Sequence, residues 1–77
     1  MITEELKRTI LGELGLDDFE LHAATLASEV PGWDSLSHVR VVRAVERRFQ
    51  VRFSTLEVLR LRNVGDLQAL LDRNRPA

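Results

Sequence analysis

Apolar residues recur every three or four positions in three separate segments of the chain, and this spacing restricts the fold more than any other feature. The segments carry Leu6, Ile10 and Leu14; Val39, Val42, Val45 and Phe49; and Val64, Leu67, Leu70 and Leu71. Since an α-helix completes a turn in 3.6 residues, each segment forms one apolar helical face. An all-α domain, a small helical bundle, is therefore predicted.

Residues that typically start or stop a helix flank these segments. Thr3 can cap a first helix that ends at Leu14, before Gly15. Asp34 can cap a second helix from Ser35 to about Gln50, with Trp33 packing back on its first turn. The residues of this helix expected to face the core are Val39, Val42, Val45 and Phe49, with Val41 at the margin.

A short helix is predicted between the last two segments. Ser54 and Glu57 have the spacing of a capping box. The side chains expected to point inward are Leu56 and Leu59, with Val58 or Leu61. Asn63 then caps the last helix.

Residues 16–34 admit two interpretations. Phe19, Ala23, Leu26 and Ala27 could share one face of a helix. Against a helix, Asp17-Asp18 and Pro31-Gly32 lie at the two ends of the segment and are typical of turns. We predict a long loop with about one helical turn, although long structureless loops are uncommon in compact domains. The side chains expected to insert into the core are Phe19, Leu26 and Val30.

The length of 77 residues allows one domain, predicted over residues 1–73, with a flexible tail over 74–77. The absence of cysteine excludes a disulfide, a thiolate zinc site and a thiol nucleophile. The N-terminus lacks the pattern of a signal peptide, and no apolar stretch is long enough to span a bilayer. A cytoplasmic protein without membrane insertion is expected.

Charge is segregated along the chain although the formal net charge is only -1. Residues 1–34 carry eight acids and two bases, whereas residues 35–62 carry seven arginines and two glutamates. The second helix is therefore locally basic, a property that bears on partners more than on fold.

The motif Asp34-Ser35-Leu36 at the start of this helix places a hydroxyl where a helix begins. The motif is followed by Val39, Phe49, Val51, Phe53 and Val64-Gly65-Asp66-Leu67. With these residues, the chain resembles the acyl carrier protein family. The tripeptide alone is a common string. Its position in the middle of a short helical domain makes it more specific.

The resemblance implies an up-and-down bundle of three main helices and one short helix. It implies that Ser35 carries 4′-phosphopantetheine, taken from coenzyme A by a phosphopantetheinyl transferase, and that Asp34 helps to engage that transferase and its magnesium. The arm's thiol would hold acyl groups as thioesters for acyl-activating, condensing or acyl-transferring enzymes. The protein itself is then a monomeric carrier and no enzyme. A phosphodiester on Ser35 would also suit a helix N-terminus, where amide donors favour an anion.

Leu36 leads a row of one helical face that continues with Arg40, Arg43 and Arg47, and this row is a candidate partner-binding strip. The family's second helix is usually acidic and meets basic patches on enzymes, so this basic helix departs from the pattern. We expect a dedicated lipid, polyketide or other specialised pathway whose enzymes present acidic or apolar surfaces.

Three rival functions remain open at this point. His38, three residues after Ser35, could act as its base in an enzyme, but no oxyanion hole is evident. The arginines could bind nucleic acid, but the negative net charge and the missing helix-turn-helix spacing argue against this function. The domain could also be an unmodified protein-interaction module. No spacing of His22 or of the acidic turn Asp17-Asp18-Phe19-Glu20 suggests a metal site.

Overall fold

The fold is taken from a computed structural model that describes residues 2–17 and 19–75, and within these ranges the secondary structure is helical apart from one isolated β-bridge. The helices are α1 Glu4–Leu14, α2 Ser35–Phe49, α3 Thr55–Leu59 and α4 Val64–Asn74, with a 3₁₀ helix Ala27–Glu29 in the loop before α2. The predicted bundle of three main helices and one short helix is confirmed. Among the described residues, no helix is long and apolar enough to cross a membrane.

The predicted capping residues are the ones that start the helices. The Thr3 hydroxyl accepts from the Leu6 N–H at α1, and the Asn63 side chain accepts from the Asp66 N–H at α4. Ser54 and Glu57 form a reciprocal capping box at α3. Each cap satisfies a backbone donor that a helix start would otherwise leave unpaired.

The core lies where α1, α2 and α4 meet. The part of it that α2 contributes differs from the prediction at two valines. Val41 and Val45 are completely buried, whereas Val39 is 48% exposed. The predicted core positions Val42, Val45 and Phe49 are therefore confirmed, Val39 is wrong, and the margin residue Val41 is central. Since α2 carries valines around a wide arc, the packing of its neighbours decides which of them are covered.

The inward-facing residues of α3 and of the long loop also need correction. Leu56 and Leu59 are 59% and 75% exposed, while Val58 and Leu61 are partly buried and Leu61 packs against the core. A helix of five residues is too short to bury all its apolar positions. In the loop, Phe19 packs against the core and Val30 is buried as predicted, but Leu26 is exposed.

The long loop is a loop as predicted, and its backbone is fastened to the start of α4. The Val64 N–H donates to the Thr25 carbonyl at 2.9 Å, and the Gly65 N–H donates to the Ala23 carbonyl at 2.8 Å. Leu26 pairs with Asn63 in an isolated antiparallel bridge. These contacts order a segment that has only one turn of helix. Asp18, part of the predicted acidic turn, lies outside the described residues.

Gly65 permits this close approach because it lacks a side chain. A Cβ at this position would lie 2.8 Å from the Ala23 carbonyl oxygen, which is a clash with backbone. We expect Gly65→Ala to lower the free energy of unfolding by about 1–3 kcal/mol, as overpacking typically does. Urea denaturation followed by circular dichroism measures this change.

Gly12→Ala is the matched control, since nothing lies within 4 Å of a Cβ built there in α1. Alanine at this helical position should raise the free energy of unfolding by roughly 0.5–1 kcal/mol. Equal midpoints for the two variants would contradict the close approach of Ala23 to Gly65.

Gln68 is a buried polar residue that the sequence did not single out. Its Oε1 accepts from the Thr3 N–H at 2.8 Å and from the Thr3 hydroxyl at 3.2 Å, while its Nε2 donates to Asp72 at 2.9 Å. The start of α1 is thereby joined to the middle of α4.

The last helix extends one residue into the tail predicted for 74–77. Asn74 belongs to α4 and donates from its side chain to the Leu70 carbonyl, and the Arg75 N–H donates to the Leu71 carbonyl. Pro76 and Ala77 lie outside the described residues.

Candidate functional site

A tight turn over residues 30–33 precedes α2. The Trp33 N–H donates to the Val30 carbonyl at 3.2 Å, and Gly32 between them has a φ of 82°. Proline followed by a glycine with positive φ is the sequence preference of a type II turn. Pro31-Gly32 therefore orients Trp33 inward as Asp34 begins the helix.

Trp33 connects this turn to α2 and α3. Its ring is buried, and its Nε1–H donates to His38 Nδ1 at 3.1 Å. Because the indole can only donate, His38 Nδ1 is the acceptor and its Nε2 carries the proton. That Nε2 lies 3.4 Å from the Val58 carbonyl oxygen in α3. The predicted packing of Trp33 on the first turn is thus seen, and both ring nitrogens of His38 face groups other than Ser35.

Asp34 caps α2 with backbone in the extended region. Its Oδ1 accepts from the Ser37 N–H at 2.9 Å, as the sequence predicted. This bond, with a further one from the Ser37 hydroxyl, holds the pKa of Asp34 below its ordinary value. The carboxylate therefore stays ionised, and the cap stays formed, to a lower pH than an ordinary aspartate would allow.

Ser35 is the first residue of α2 and its side chain is exposed. Within the part of the chain that the structure describes, the Ser35 N–H has no acceptor, whereas the Ser37 N–H is used by Asp34. An anion attached to the Ser35 hydroxyl would lie beside free amide donors at the positive end of the helix. The residues present thus fit a covalently attached phosphodiester.

The predicted strip lies on the side of α2 opposite Val41 and Val45. Leu36 is 80% exposed, and the three arginines that continue its row, Arg40, Arg43 and Arg47, are exposed as well. Arg40 forms an ion pair with Glu13 of α1 at 3.4 Å. The structure therefore brings the four predicted residues onto one accessible face.

An open groove of about 930 Å³ runs beside this strip between α2 and the segment that leads into α3. Its apolar lining comes from Val39, Val42, Val51, Phe53 and Val58. Glu46 also lines the groove, and its carboxylate accepts from the Phe53 N–H at 2.9 Å. The sequence did not predict this groove, although Val39, Val42 and Phe53 were singled out in it, the two valines as core residues.

A small helical domain with an exposed serine at the start of its second helix is compatible with a carrier of a covalently attached group. The profile of the family described as "Phosphopantetheine attachment site" matches residues 4–71. The chain belongs to this family, that of the acyl carrier proteins, whose cofactor is covalently attached 4′-phosphopantetheine.

Two relatives show the extent of the similarity. The acyl carrier protein of Onion yellows phytoplasma (strain OY-M) is 30% identical over 76 residues, which cover 99% of this chain and 100% of that protein. The solution structure of holo acyl carrier protein from Geobacter metallireducens superposes with a TM-score of 0.84 at 31% identity. That match covers 91% of this chain and 80% of the other.

Two features that shape the site were not recognised in the sequence. His38 joins Trp33 to α3, and Leu59 is left exposed next to Val58. The sequence did contain a signal for the contact between Trp33 and His38. A histidine five residues after a tryptophan lies one turn into the helix that follows. No local signal distinguishes an exposed leucine of a short helix from a buried one.

Proposed function

We propose that Ser35 is the residue that carries the 4′-phosphopantetheine arm. The observation that supports this most directly is its position: it is the exposed first residue of α2, with the preceding aspartate serving as the cap. The hydroxyl is therefore free for modification without loss of a capping bond. When bound, the arm supplies the thiol that the chain lacks and on which acyl groups are carried.

Asp34 has a second role in this proposal. Its carboxylate is exposed and ionised directly before Ser35, and only one of its oxygens accepts the Ser37 N–H. A carboxylate oxygen has more than one lone pair, so the exposed group can also meet a transferase that approaches Ser35 and the magnesium ion of that enzyme. Asp34 thus both orders the helix start and helps to engage the modifying enzyme.

Intact mass measurement tests the attachment residue. We expect one phosphopantetheinyl increment after incubation with coenzyme A and a broad-specificity phosphopantetheinyl transferase, and no increment in Ser35→Ala. Ser37→Ala is the matched control, because it removes a hydroxyl two residues further along the same helix. An increment that persists in Ser35→Ala, or no increment with several transferases, would overturn the proposal; the second result would favour an unmodified interaction module.

The protein acts with a phosphopantetheinyl transferase and with acyl-handling enzymes, as its family does. We propose that those enzymes belong to a dedicated lipid, polyketide or other acyl-transfer pathway and dock on the strip of Leu36, Arg40, Arg43 and Arg47. Leu36 is apolar and stands at the start of an exposed row of arginines. This combination is complementary to an enzyme surface that is acidic with an apolar centre.

Nucleic acid is a less suitable partner for the same helix. Arg40 and Arg48 already pair with Glu13 and Glu5 of α1, at 3.4 and 3.5 Å. These acids lie beside the basic helix and would repel a phosphate backbone. Electrostatic binding to nucleic acid needs several unopposed cations along one face, which these pairs reduce.

A further inference from the structure

The groove beside α2 combines an apolar floor with an unusual number of arginines. The charged residues that line it are Arg40, Arg43, Arg47, Arg52, Glu13 and Glu46. Glu13 is paired with Arg40 at 3.4 Å, and Glu46 accepts the Phe53 N–H at 2.9 Å. Glu13 is thereby matched by a cation and Glu46 is held by a backbone N–H, and the four arginines and two glutamates leave the groove with a net charge of +2.

The other three arginines of the groove have no such partner. Arg43, Arg47 and Arg52 form no ion pair with any carboxylate of residues 2–17 and 19–75. Arg43 and Arg47 belong to α2, whereas Arg52 lies on the segment that connects α2 to α3. Unopposed positive charge thus comes to the groove from two different elements.

The groove is within reach of a group attached to Ser35. Val39 and Val42 follow Ser35 by about one and two helical turns, and they are followed in turn by Arg43 and Arg47. At the rise of an α-helix, Arg43 and Arg47 lie ~12 and ~18 Å beyond Ser35 along the axis. A group attached to Ser35 can therefore reach both the apolar wall and the unpaired guanidinium groups, with only the ion-paired Arg40 among the valines nearest to Ser35.

We infer that this groove holds an acyl chain that bears a carboxylate at its far end, bound by Arg43, Arg47 and Arg52. The inference rests on the proposed attachment to Ser35 and specifies the class of acyl group carried. The apolar floor covers the methylene part of such a chain, and the unpaired guanidinium groups provide charge-assisted hydrogen bonds for its end. A chain ending in a methyl group leaves these arginines without a partner.

The test compares two cargoes on the isolated protein. The apo protein is loaded by a phosphopantetheinyl transferase from octanoyl coenzyme A or from suberoyl coenzyme A, its dicarboxylic counterpart of equal carbon number. Each loaded form is verified by intact mass, separated from apo protein and melted by circular dichroism. A groove that recognises only apolar surface stabilises the octanoyl form more, because its methyl end is the more hydrophobic.

We expect the opposite order, with the suberoyl form melting higher by roughly 2–8 °C at low salt and by less at high salt. Arg43→Gln combined with Arg52→Gln should restore the order of a purely apolar groove. Lys7→Gln combined with Arg60→Gln is the control of equal charge change, since neither residue lines the groove. A higher melting temperature for the octanoyl form, or an order that the double variant leaves unchanged, would overturn the inference.

Failure of the inference and failure of the proposed attachment are distinguishable in this experiment. Mass measurement reports loading of Ser35 before any melting is done. Loading on another residue overturns the proposed attachment, and the inference with it. Loading on Ser35 followed by the wrong order of melting temperatures overturns only the carboxylate specificity.

Discussion

Trp33→Ala is expected to lower the free energy of unfolding by about 3–5 kcal/mol, the range found when large buried aromatic residues are truncated. Trp33 is buried in the core and also donates to His38 Nδ1, so the change removes packing and leaves a partly buried acceptor without its donor. A domain of 77 residues has about 4–12 kcal/mol in total. The variant should therefore lose at least about a quarter of its stability, which urea denaturation followed by circular dichroism would measure as a lower midpoint.

Trp33→Phe is the companion variant, because it keeps an aromatic ring but loses the N–H donor and part of the ring volume. We expect a cost of about 1–3 kcal/mol from the unpaired His38 nitrogen and the smaller ring. This variant should remain folded and should still accept phosphopantetheine on the proposed serine. A denaturation midpoint for Trp33→Ala equal to that of the unchanged protein would contradict the burial of Trp33.

Reversal of charge on the strip should improve loading by enzymes that present a basic docking surface. Arg43→Glu combined with Arg47→Glu removes two unpaired positive charges that such an enzyme would repel, and like-charge contacts across an interface cost several kcal/mol. With the acyltransferase of a standard fatty-acid system, we expect kcat/KM on the holo protein to rise about ten- to a hundredfold. The measurement is the rate of acyl transfer at low and high salt.

The choice of Arg43 and Arg47 follows from the ion pairs. Reversal of Arg40 would place a glutamate against Glu13 and disturb the packing of α1 on α2, so its effect would not be confined to docking. Lys7→Glu combined with Arg60→Glu is the control of equal charge change, since neither residue lies in α2 and neither forms an ion pair with a carboxylate of the described residues. Efficient loading of the unchanged protein, with no gain on reversal of Arg43 and Arg47, would refute a partner surface that is acidic or apolar.

The helix starts were predictable because capping is local. Thr3, Ser54 and Asn63 each accept a backbone N–H three residues further on, a contact that depends on no distant part of the chain. For the same reason Asp34 and Ser35 could be placed at the start of α2 from the sequence. The role of Ser35 as the attachment residue stays a prediction.

The choice of buried faces was not predictable in the same way. α2 has valines at 39, 41, 42 and 45, and only the position of α1 and α4 determines that Val41 is covered and Val39 is not. The same holds for Leu59 of α3, which is 75% exposed. The groove depends on how the segment after α2 returns along the helix, a tertiary property without a local sequence pattern.

The backbone bonds from Ala23 and Thr25 to the start of α4 have a consequence for synthesis of the protein. They join residues that are some forty positions apart and hold the loop that leads to α2. On a ribosome, the two N–H groups that fasten this loop are missing until Val64 and Gly65 have been made. The loop that precedes Ser35 is therefore completed by residues that are translated well after the serine itself.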